Sequence, residues 1–479
     1  MSFMKKNSSP WLHQLNRTRE TIVLDKNLET DLLVIGGGIA GITTAYTLLR
    51  DTQQTVTLID CNLVGHGASG HNAGQLTTYF ERPLSDIASQ FGVDLTCEAQ
   101  KDVESAWLEL DTIKEEINLK TPIYKFTGYA GMTKLSQVLL RLADNMIRYD
   151  GGIPIEKMLI AENFEFLEHI PAVFSHLYEI TSKQNIQKML ETENDDYVAM
   201  LVYPKGATNS AKICEELTEY MLETYANRFH VYEETPANRI LLDQESALTE
   251  IVLNKNEMLT TNVVPDFTIL SKKIVLCTNG FEGFKIINNA GKDIDTKFHH
   301  QVNGRINFMS AYLDSLEKDP VAISYFPKNS SIDAAKDTIT GEQYFYITRR
   351  PHMHDGVEMG LISTGGPERI LNGDEVYNRS DLCEEWAEHD IDNFLKKSYK
   401  KHPGEKVEYQ FCWHGLLGYT TTGLRLIGEE PLNRTLMYNL GCNGVGIMPS
   451  IYGAKRITEI VLGIQQQPSI FDPKMNSDD

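Results

Sequence analysis

Six residues, Gly36-Gly37-Gly38-Ile39-Ala40-Gly41, constrain this chain more than any others. They come directly after a short apolar run, Leu32 to Ile35, too brief for a helix, and they open a segment in which Ile39, Ile42, Tyr46 and Leu49 recur at helical spacing. A second β-rich run, Thr55 to Asp60, comes next. Strand, glycine turn, helix and strand in that order predict a βαβ unit. Each position in the turn has its own task. Gly36 permits the tight turn, Gly38 lets a pyrophosphate approach the backbone, and Gly41 lets helix and strand pack closely. Anionic phosphates are favoured at the helix N-terminus, around Ile39 and Ala40, where N–H groups and the helix dipole point outward. Asp60, nineteen residues after Gly41 and next to Cys61, is set to accept hydrogen bonds from ribose hydroxyls. The pattern predicts dinucleotide binding without choosing between NAD and FAD.

The 479 residues allow two or three folded units. Lys+Arg 45 against Asp+Glu 66 leaves a net charge of −21, a field that repels phosphate backbones and anionic lipid surfaces, so nucleic acid is not expected as a partner. The 7 cysteines are scattered with no CxxC pair, which argues against a disulfide framework or a structural zinc site. No window approaches a membrane span, and no apolar run comes after Lys5 and Lys6 as a signal peptide requires. The expectation is a reduced, cytoplasmic protein.

Further strands of the same sheet are predicted at Lys273 to Thr278 and Leu436 to Leu440, both closed by turn residues. The sheet is thus assembled from distant segments. The first 30 residues read as a strap packed on the nucleotide-binding unit. The stretch from roughly 98 to 200 reads as largely helical, and that from roughly 286 to 410 as strand-rich. The expected division is a discontinuous nucleotide-binding unit (1–97, 201–285, 411–470) carrying an inserted α+β unit (98–200, 286–410).

Downstream of the βαβ unit stands Gly65-His66-Gly67-Ala68-Ser69-Gly70-His71-Asn72-Ala73-Gly74-Gln75. This stretch resembles the G-x-G-A-S-G-R-N-G-G segment of the FAD-dependent amino acid and amine oxidoreductases, the group of D-amino acid oxidase, glycine oxidase, sarcosine oxidase and gamma-glutamylputrescine oxidase. Trp413-His414-Gly415-Leu416 with Tyr419-Thr420 and Gly423 to Gly428 resembles the family's late strand pair. Gly441-Cys442-Asn443-Gly444-Val445-Gly446-Ile447 resembles its closing glycine segment, and Gly206-Ala207-Thr208 before an amphipathic helix fits its layout. The resemblance spans residues 10 to 465 and implies an α/β, D-amino acid oxidase-like fold with an FAD-binding Rossmann-like domain. It also implies a small amine or N-substituted amino acid as substrate, with hydride transfer from the carbon beside its nitrogen to flavin N5, giving an imine that hydrolyses.

On that basis FAD contacts are expected from Gly36, Gly38, Ile39, Ala40, Gly41, Asp60, Cys61, Gly67, Ala68, Ser69, His71, Asn72, Ala73, Gly74, Gln75 and Leu76. Others are expected at the later strand ends, Ala237 and Thr278-Asn279-Gly280. Gly444, Val445, Gly446, Ile447 and Met448 are placed by the pattern to stabilise negative charge on the reduced ring. Tyr344, Tyr346 and Arg349 have the side chains that hold a carboxylate or amide over a flavin, and Trp413 is expected beside them as pocket lining.

Several positions depart from the family. Leu417 stands where monomeric sarcosine oxidases attach flavin through cysteine. Met448 and Thr77 stand where they grip the substrate carboxylate, and Glu358 replaces a lysine credited with oxygen activation. A quinone or carrier protein is then an alternative acceptor to oxygen. His71 replaces the usual arginine. It resembles the flavinylated histidine of dimethylglycine dehydrogenases, and it equally suits a hydrogen bond to the flavin. His299-His300 and His352-x-His354 read as surface histidines, with no metal expected. Two other readings stay open: an NAD-dependent dehydrogenase sharing only the βαβ unit, and a non-catalytic flavin-binding or electron-transfer subunit, with a homo-oligomer or an acceptor as partner.

Overall fold

The opening apolar run forms the strand Leu28–Ile35, the helical spacing forms Ile39–Asp51, and the second run forms the strand Val56–Ile59. The computed structural model describes residues 6–254, 264–316, 319–328, 344–371, 375–399 and 407–474. Leu28–Ile35 lies mid-sheet, parallel to Val56–Ile59 on one side and to Phe267–Leu276 on the other. Beyond them, Phe229–Tyr232 and Asn433–Leu440 extend the parallel run at its two ends. The expected strands at Lys273 and Leu436 therefore do join the first strand from far along the chain. Alternation along Leu28–Ile35 sends Leu32 and Val34 to a face covered by helices Ile39–Asp51, Ser210–Thr224 and Ile447–Val461, and Leu33 and Ile35 to the opposite face. Antiparallel strands Ala237–Leu242 and Ala247–Ile251 help to cover that second face.

A second, mostly antiparallel sheet runs in the order Phe411–Thr420, Val302–Asp314, Val357–Ile370, Phe345–His354, Val321–Tyr325, Tyr124–Met132, Ala199–Ala207, Lys157–Ala161, Glu179–Thr181. Its outer face packs on helices Leu135–Asp150 and Glu385–Ser398. The sheets divide the chain differently from the expected boundaries. Phe411–Thr420 and Ala199–Ala207 belong to the second sheet, while helix Val93–Glu116 buries Val103, Ala106 and Leu110 in the core of the first unit. The stretch from 98 to 200, expected to be largely helical, also supplies three strands of the second sheet and the start of a fourth. Apolar alternation marks a strand but not the sheet it joins, since partner choice is settled by distant segments.

The strap at the N-terminus carries the short helix Pro10–His13, capped by Ser9, and its Trp11 is fully buried. No helix among the described residues is long and apolar enough to cross a membrane.

Candidate active site

A cavity of about 590 Å³ lies between the two sheets, with the opening and closing glycine turns both in its wall. Hydrogen bonds from backbone N–H groups bring these turns together. Gly36 N–H donates to the Ile59 carbonyl, Cys277 N–H to the Ile35 carbonyl, and Cys442 N–H to Asn279 Oδ1. Asn279 is itself in the left-handed region, φ 56°, and its Nδ2 donates to the Leu416 carbonyl at 3.3 Å, so one side chain ties the first sheet to a strand of the second. The helix Ile447–Val461 lies against Ile39–Asp51, with Thr47 and Thr458 hydroxyls 2.7 Å apart.

The turn is shaped as the motif requires. Gly36 has φ +109°, and a Cβ there would stand 2.6 Å from the Cys277 carbonyl oxygen; on Gly41 it would stand 1.8 Å from that of Gly36. On Gly38 it would meet only Ser69 Oγ, at 3.1 Å, so this glycine keeps the cavity side open. No side chain caps the adjoining helix, although Ser69 Oγ accepts from Ile39 N–H at 2.8 Å. Asp60 accepts from Gly37 N–H at 2.7 Å and Asn62 N–H at 2.6 Å, with burial raising its pKa. Two buried hydroxyls in the cavity wall, Thr77 and Thr278, have no partner among the described residues. A long polar and apolar cradle at a glycine turn, with unpaired hydroxyls in its wall, suits a dinucleotide.

Of the residues expected to hold the cofactor, Gly36, Gly38, Ile39, Ala40, Asp60, Cys61, Gly67, Ala68, Ser69, His71 to Gln75, Ala237, Thr278, Asn279 and Gly444 to Ile447 line the cavity. Gly41, Leu76, Gly280 and Met448 do not. Gly41 packs against the strand, Leu76 and Met448 are fully buried in the helix-side core, and Gly280 lies against Leu417 and Gly418.

Among the expected substrate residues, Tyr344 and Tyr346 line the cavity and Arg349 does not. Alternation along Phe345–His354 puts Arg349 on the other face, where Nη1 and Nη2 grip Glu191 at 2.7 Å each and Nη1 also meets Tyr399 Oη. Trp413 is likewise outside. It packs edge-on to Trp11 and donates to the Asn72 carbonyl at 3.2 Å, and only Leu417 and Tyr419, further along its strand, reach the cavity. Glu358 is exposed and away from the cavity, so it has no bearing there on oxygen chemistry. His71 Nδ1 lies 3.0 Å from the Gly67 carbonyl, and burial pushes its pKa down to about 4, leaving the ring neutral. The histidines expected at the surface divide. His299 pairs with Glu282 and Asp295, whereas His352 is 1% exposed and stands with His354 and His13.

The sequence pattern does not disclose the polar end of the cavity. Glu81 accepts from Tyr344 Oη at 2.6 Å, and its Cγ stands 2.8 Å from where a Gly444 Cβ would be, so it joins the closing turn to the second sheet. Burial raises its carboxyl to about 7, against the opposing Tyr344 hydrogen bond. Glu368 lies nearby with Asn307 Nδ2 at 3.3 Å and Tyr419 Oη at 3.4 Å, and burial raises its pKa too. Behind the wall, Lys205 is 1% exposed and donates to Gln75 Oε1 at 3.0 Å, with burial lowering its pKa to about 8. Its ammonium lies 5.5 Å from the Tyr79 ring centre and 5.1 Å from that of Tyr203. The one signal in the sequence was polar residues two apart on long apolar strands: Arg305 and Asn307, Tyr344 and Tyr346.

Residues 31–460 match the family described as DAO, FAD dependent oxidoreductase. The chain belongs to that family. FAD is its cofactor, and it is an oxidoreductase. Among curated proteins it is similar to gamma-glutamylputrescine oxidoreductase of Escherichia coli (strain K12), 30% identical over 87 residues, which are 18% of this chain and 20% of that protein. It is also similar to the putative Rieske 2Fe-2S iron-sulfur protein YhfW of Bacillus subtilis (strain 168), 35% identical over 71 residues, 15% of this chain and 14% of that one. These matches span a fifth or less of the relatives' length. Among solved structures, glycine oxidase from Geobacillus kaustophilus aligns with TM-score 0.62 at 14% identity, over 94% of this chain and 100% of that one. L-proline dehydrogenase from P. horikoshii aligns with TM-score 0.65 at 13% identity, over 93% and 97%. The fold is that of the D-amino acid oxidase-like flavoproteins. The glycine cradle, Asp60 and the unpartnered Thr278 hydroxyl fit the dinucleotide part of FAD.

Proposed function

We propose that this chain oxidises the C–N bond of a small amine. Two electrons and the hydrogen of the carbon beside nitrogen leave the substrate for FAD, the amine proton leaves separately, and water then hydrolyses the imine to a carbonyl compound and an amine. When bound, FAD supplies the electron-accepting ring. The observation that carries the reading is Glu81, a carboxyl of pKa about 7 in the cavity wall between the closing glycine turn and Tyr344. A carboxyl with that pKa is matched to taking the proton of an ammonium group near neutral pH. Tyr79, Tyr344 and Tyr346 line the same cavity, and aromatic rings are compatible with a cation.

The cations in the cavity wall are already engaged. Arg305 stacks 4.5 Å over the Tyr419 ring beside Glu368, Arg369 pairs with Glu375 and Glu384, and Arg425 donates to Asn439. They leave little to hold a free carboxylate, which favours an amine over an α-amino acid. Gamma-glutamylputrescine oxidoreductase, one of the curated relatives, is likewise named for an amino compound.

The test is anaerobic mixing of the FAD-loaded protein with diamines, monoamines, glycine and sarcosine, and then admission of air. The expectation is that amines without an α-carboxylate bleach the flavin fastest. Faster bleaching by glycine or sarcosine overturns the substrate class. Colour persisting with every compound favours the electron-transfer subunit instead, and the rate of recolouring in air reports whether oxygen is an efficient acceptor.

A further inference from the structure

Outside the flavin cavity, three imidazoles from two distant parts of the chain converge. His352 and His354 are two apart on Phe345–His354, so their side chains leave the same face of the strand. His13 ends the short helix of the N-terminal strap. One ring nitrogen from each can be chosen so that all three lie within 4.8 Å of one another. The rings are gathered beside Phe411, with centroids 5.5 Å apart for His13 and His354 and 6.2 Å for His352 and His354.

We propose that His13, His352 and His354 form a binding site for a late first-row divalent cation, with Zn²⁺ the natural occupant, and that the cation pins the N-terminal strap to the second sheet.

The second observation that points to a ligand is His352 itself. It is 1% exposed, and among the described residues neither ring nitrogen has a hydrogen-bond partner; His354 Nδ1 is buried and unpartnered there as well. A buried polar nitrogen without a partner is costly, and a cation taking one nitrogen from each ring satisfies one on His352 and one on His354. Imidazole nitrogen suits zinc, copper and nickel, and three histidines with one open position is an established zinc geometry. Zn–N bonds of about 2.0–2.1 Å bring tetrahedral donors to about 3.3 Å from one another, a side-chain adjustment of roughly 1 Å that exposed His13 can make by rotation. Water fills the fourth position. Arg350 and Lys212 oppose a cation here. The Arg350 guanidinium is turned onto the Trp11 ring at 4.1 Å, which draws its charge aside.

The consequence is mechanical rather than catalytic. Ser9 and Trp11 of the strap bind the Gly70 and Asn72 carbonyls of the loop that lines the cavity, so fixing His13 fixes that contact. The test uses untagged, FAD-loaded protein dialysed against chelator, then titrated with Zn²⁺ and, separately, with Co²⁺ as an optical probe. Expected are one equivalent of Zn²⁺ per chain, a rise in Tm that grows with free Zn²⁺, and Co²⁺ d–d bands of four-coordinate intensity. His13→Ala, on the exposed strap, is expected to weaken binding at least 100-fold and abolish the Tm shift while retaining flavin absorbance. His354→Gln checks the same loss from the sheet side. Absence of stoichiometric binding by the unaltered protein, or unchanged affinity in both variants, overturns the site. Neither outcome depends on the identity of the amine substrate.

Discussion

A methyl group added at Gly41 meets the Gly36 carbonyl oxygen at 1.8 Å, backbone against backbone, whereas one added at Gly38 meets only the Ser69 hydroxyl at 3.1 Å. Gly41→Ala is therefore expected to cost about 3 kcal/mol or more and to abolish folding or flavin uptake. Gly38→Ala is expected to fold, because a hydroxyl rotates aside, yet to retain FAD at least 10-fold more weakly, because the methyl enters the space a pyrophosphate needs. Thermal melts and the flavin-to-protein absorbance ratio separate the two; wild-type behaviour of Gly41→Ala removes the packing argument. Glu81 titrates with opposite consequences for rate and stability. Its proton-accepting form is populated above about pH 7, so kcat/KM is expected to rise through that pH, and Glu81→Gln to lose the rise and fall about 10- to 100-fold at pH 8. The folded carboxyl keeps its proton to higher pH than the unfolded one, whose pKa is 4.5, so its contribution to stability falls as pH climbs from 4.5 to about 7. Glu81→Gln should thus gain Tm relative to wild type at pH 8 and not at pH 4. A pH–rate profile unchanged by the substitution takes Glu81 out of the reaction.

Strand parity decides which of the tyrosines and arginines on Phe345–His354 meets the cavity. Tyr346 donates to Asn307 Oδ1 at 3.1 Å inside it, while Arg349 spans the opposite face to Glu191. Tyr346→Phe is expected to change KM several-fold with Tm nearly unmoved. Arg349→Met is expected to cost about 2–4 kcal/mol by stranding Glu191, with KM unaffected. Reversal of that pattern in kinetics and melts means the parity is misassigned. Such parity is not legible in the sequence, because alternating residues announce a strand without saying which side faces inward. The βαβ unit is legible because most of its determinants lie within thirty residues: Gly41 answers to the Gly36 carbonyl and Asp60 to Gly37 N–H, while the Cys277 carbonyl against Gly36 comes from afar. The closing turn at Gly444 is legible through a family pattern. Glu81, Glu368 and the meeting of His13 with His352 are not, since each depends on pairings between segments far apart in the chain. Trp413 misleads for a related reason: a tryptophan in a motif marks a site that needs a large ring, and here the ring fills the space under Asn72.

At the scale of the molecule, the strap packs on the outer side of the loop that lines the flavin cavity. Trp11 donates to the Asn72 carbonyl at 2.5 Å, its own carbonyl accepts from Asn209 Nδ2 at 3.0 Å, and a Cβ on Gly74 would strike its ring at 2.8 Å. The loop under it runs from Gly67 to Gln75, and within it Ser69 reaches the N-terminus of the glycine-turn helix. Replacing this fully buried ring with a methyl group removes about 3–5 kcal/mol of packing and leaves the Arg350 guanidinium without the aromatic face it stacks upon. The loss falls on the strap and the loop, whereas the two sheets keep their own cores. Local opening should then precede global unfolding. In wild type, release of flavin fluorescence and loss of far-ultraviolet ellipticity are expected to coincide on heating. In Trp11→Ala the fluorescence should rise first, at a temperature several degrees below the ellipticity change. Trp11→Phe keeps a ring while losing the Asn72 hydrogen bond and the part of the indole packed on Gly74, a smaller loss than in the alanine variant, so its two transitions should lie closer together. If both transitions move down together in Trp11→Ala, the strap supports the whole fold and does not act through the loop.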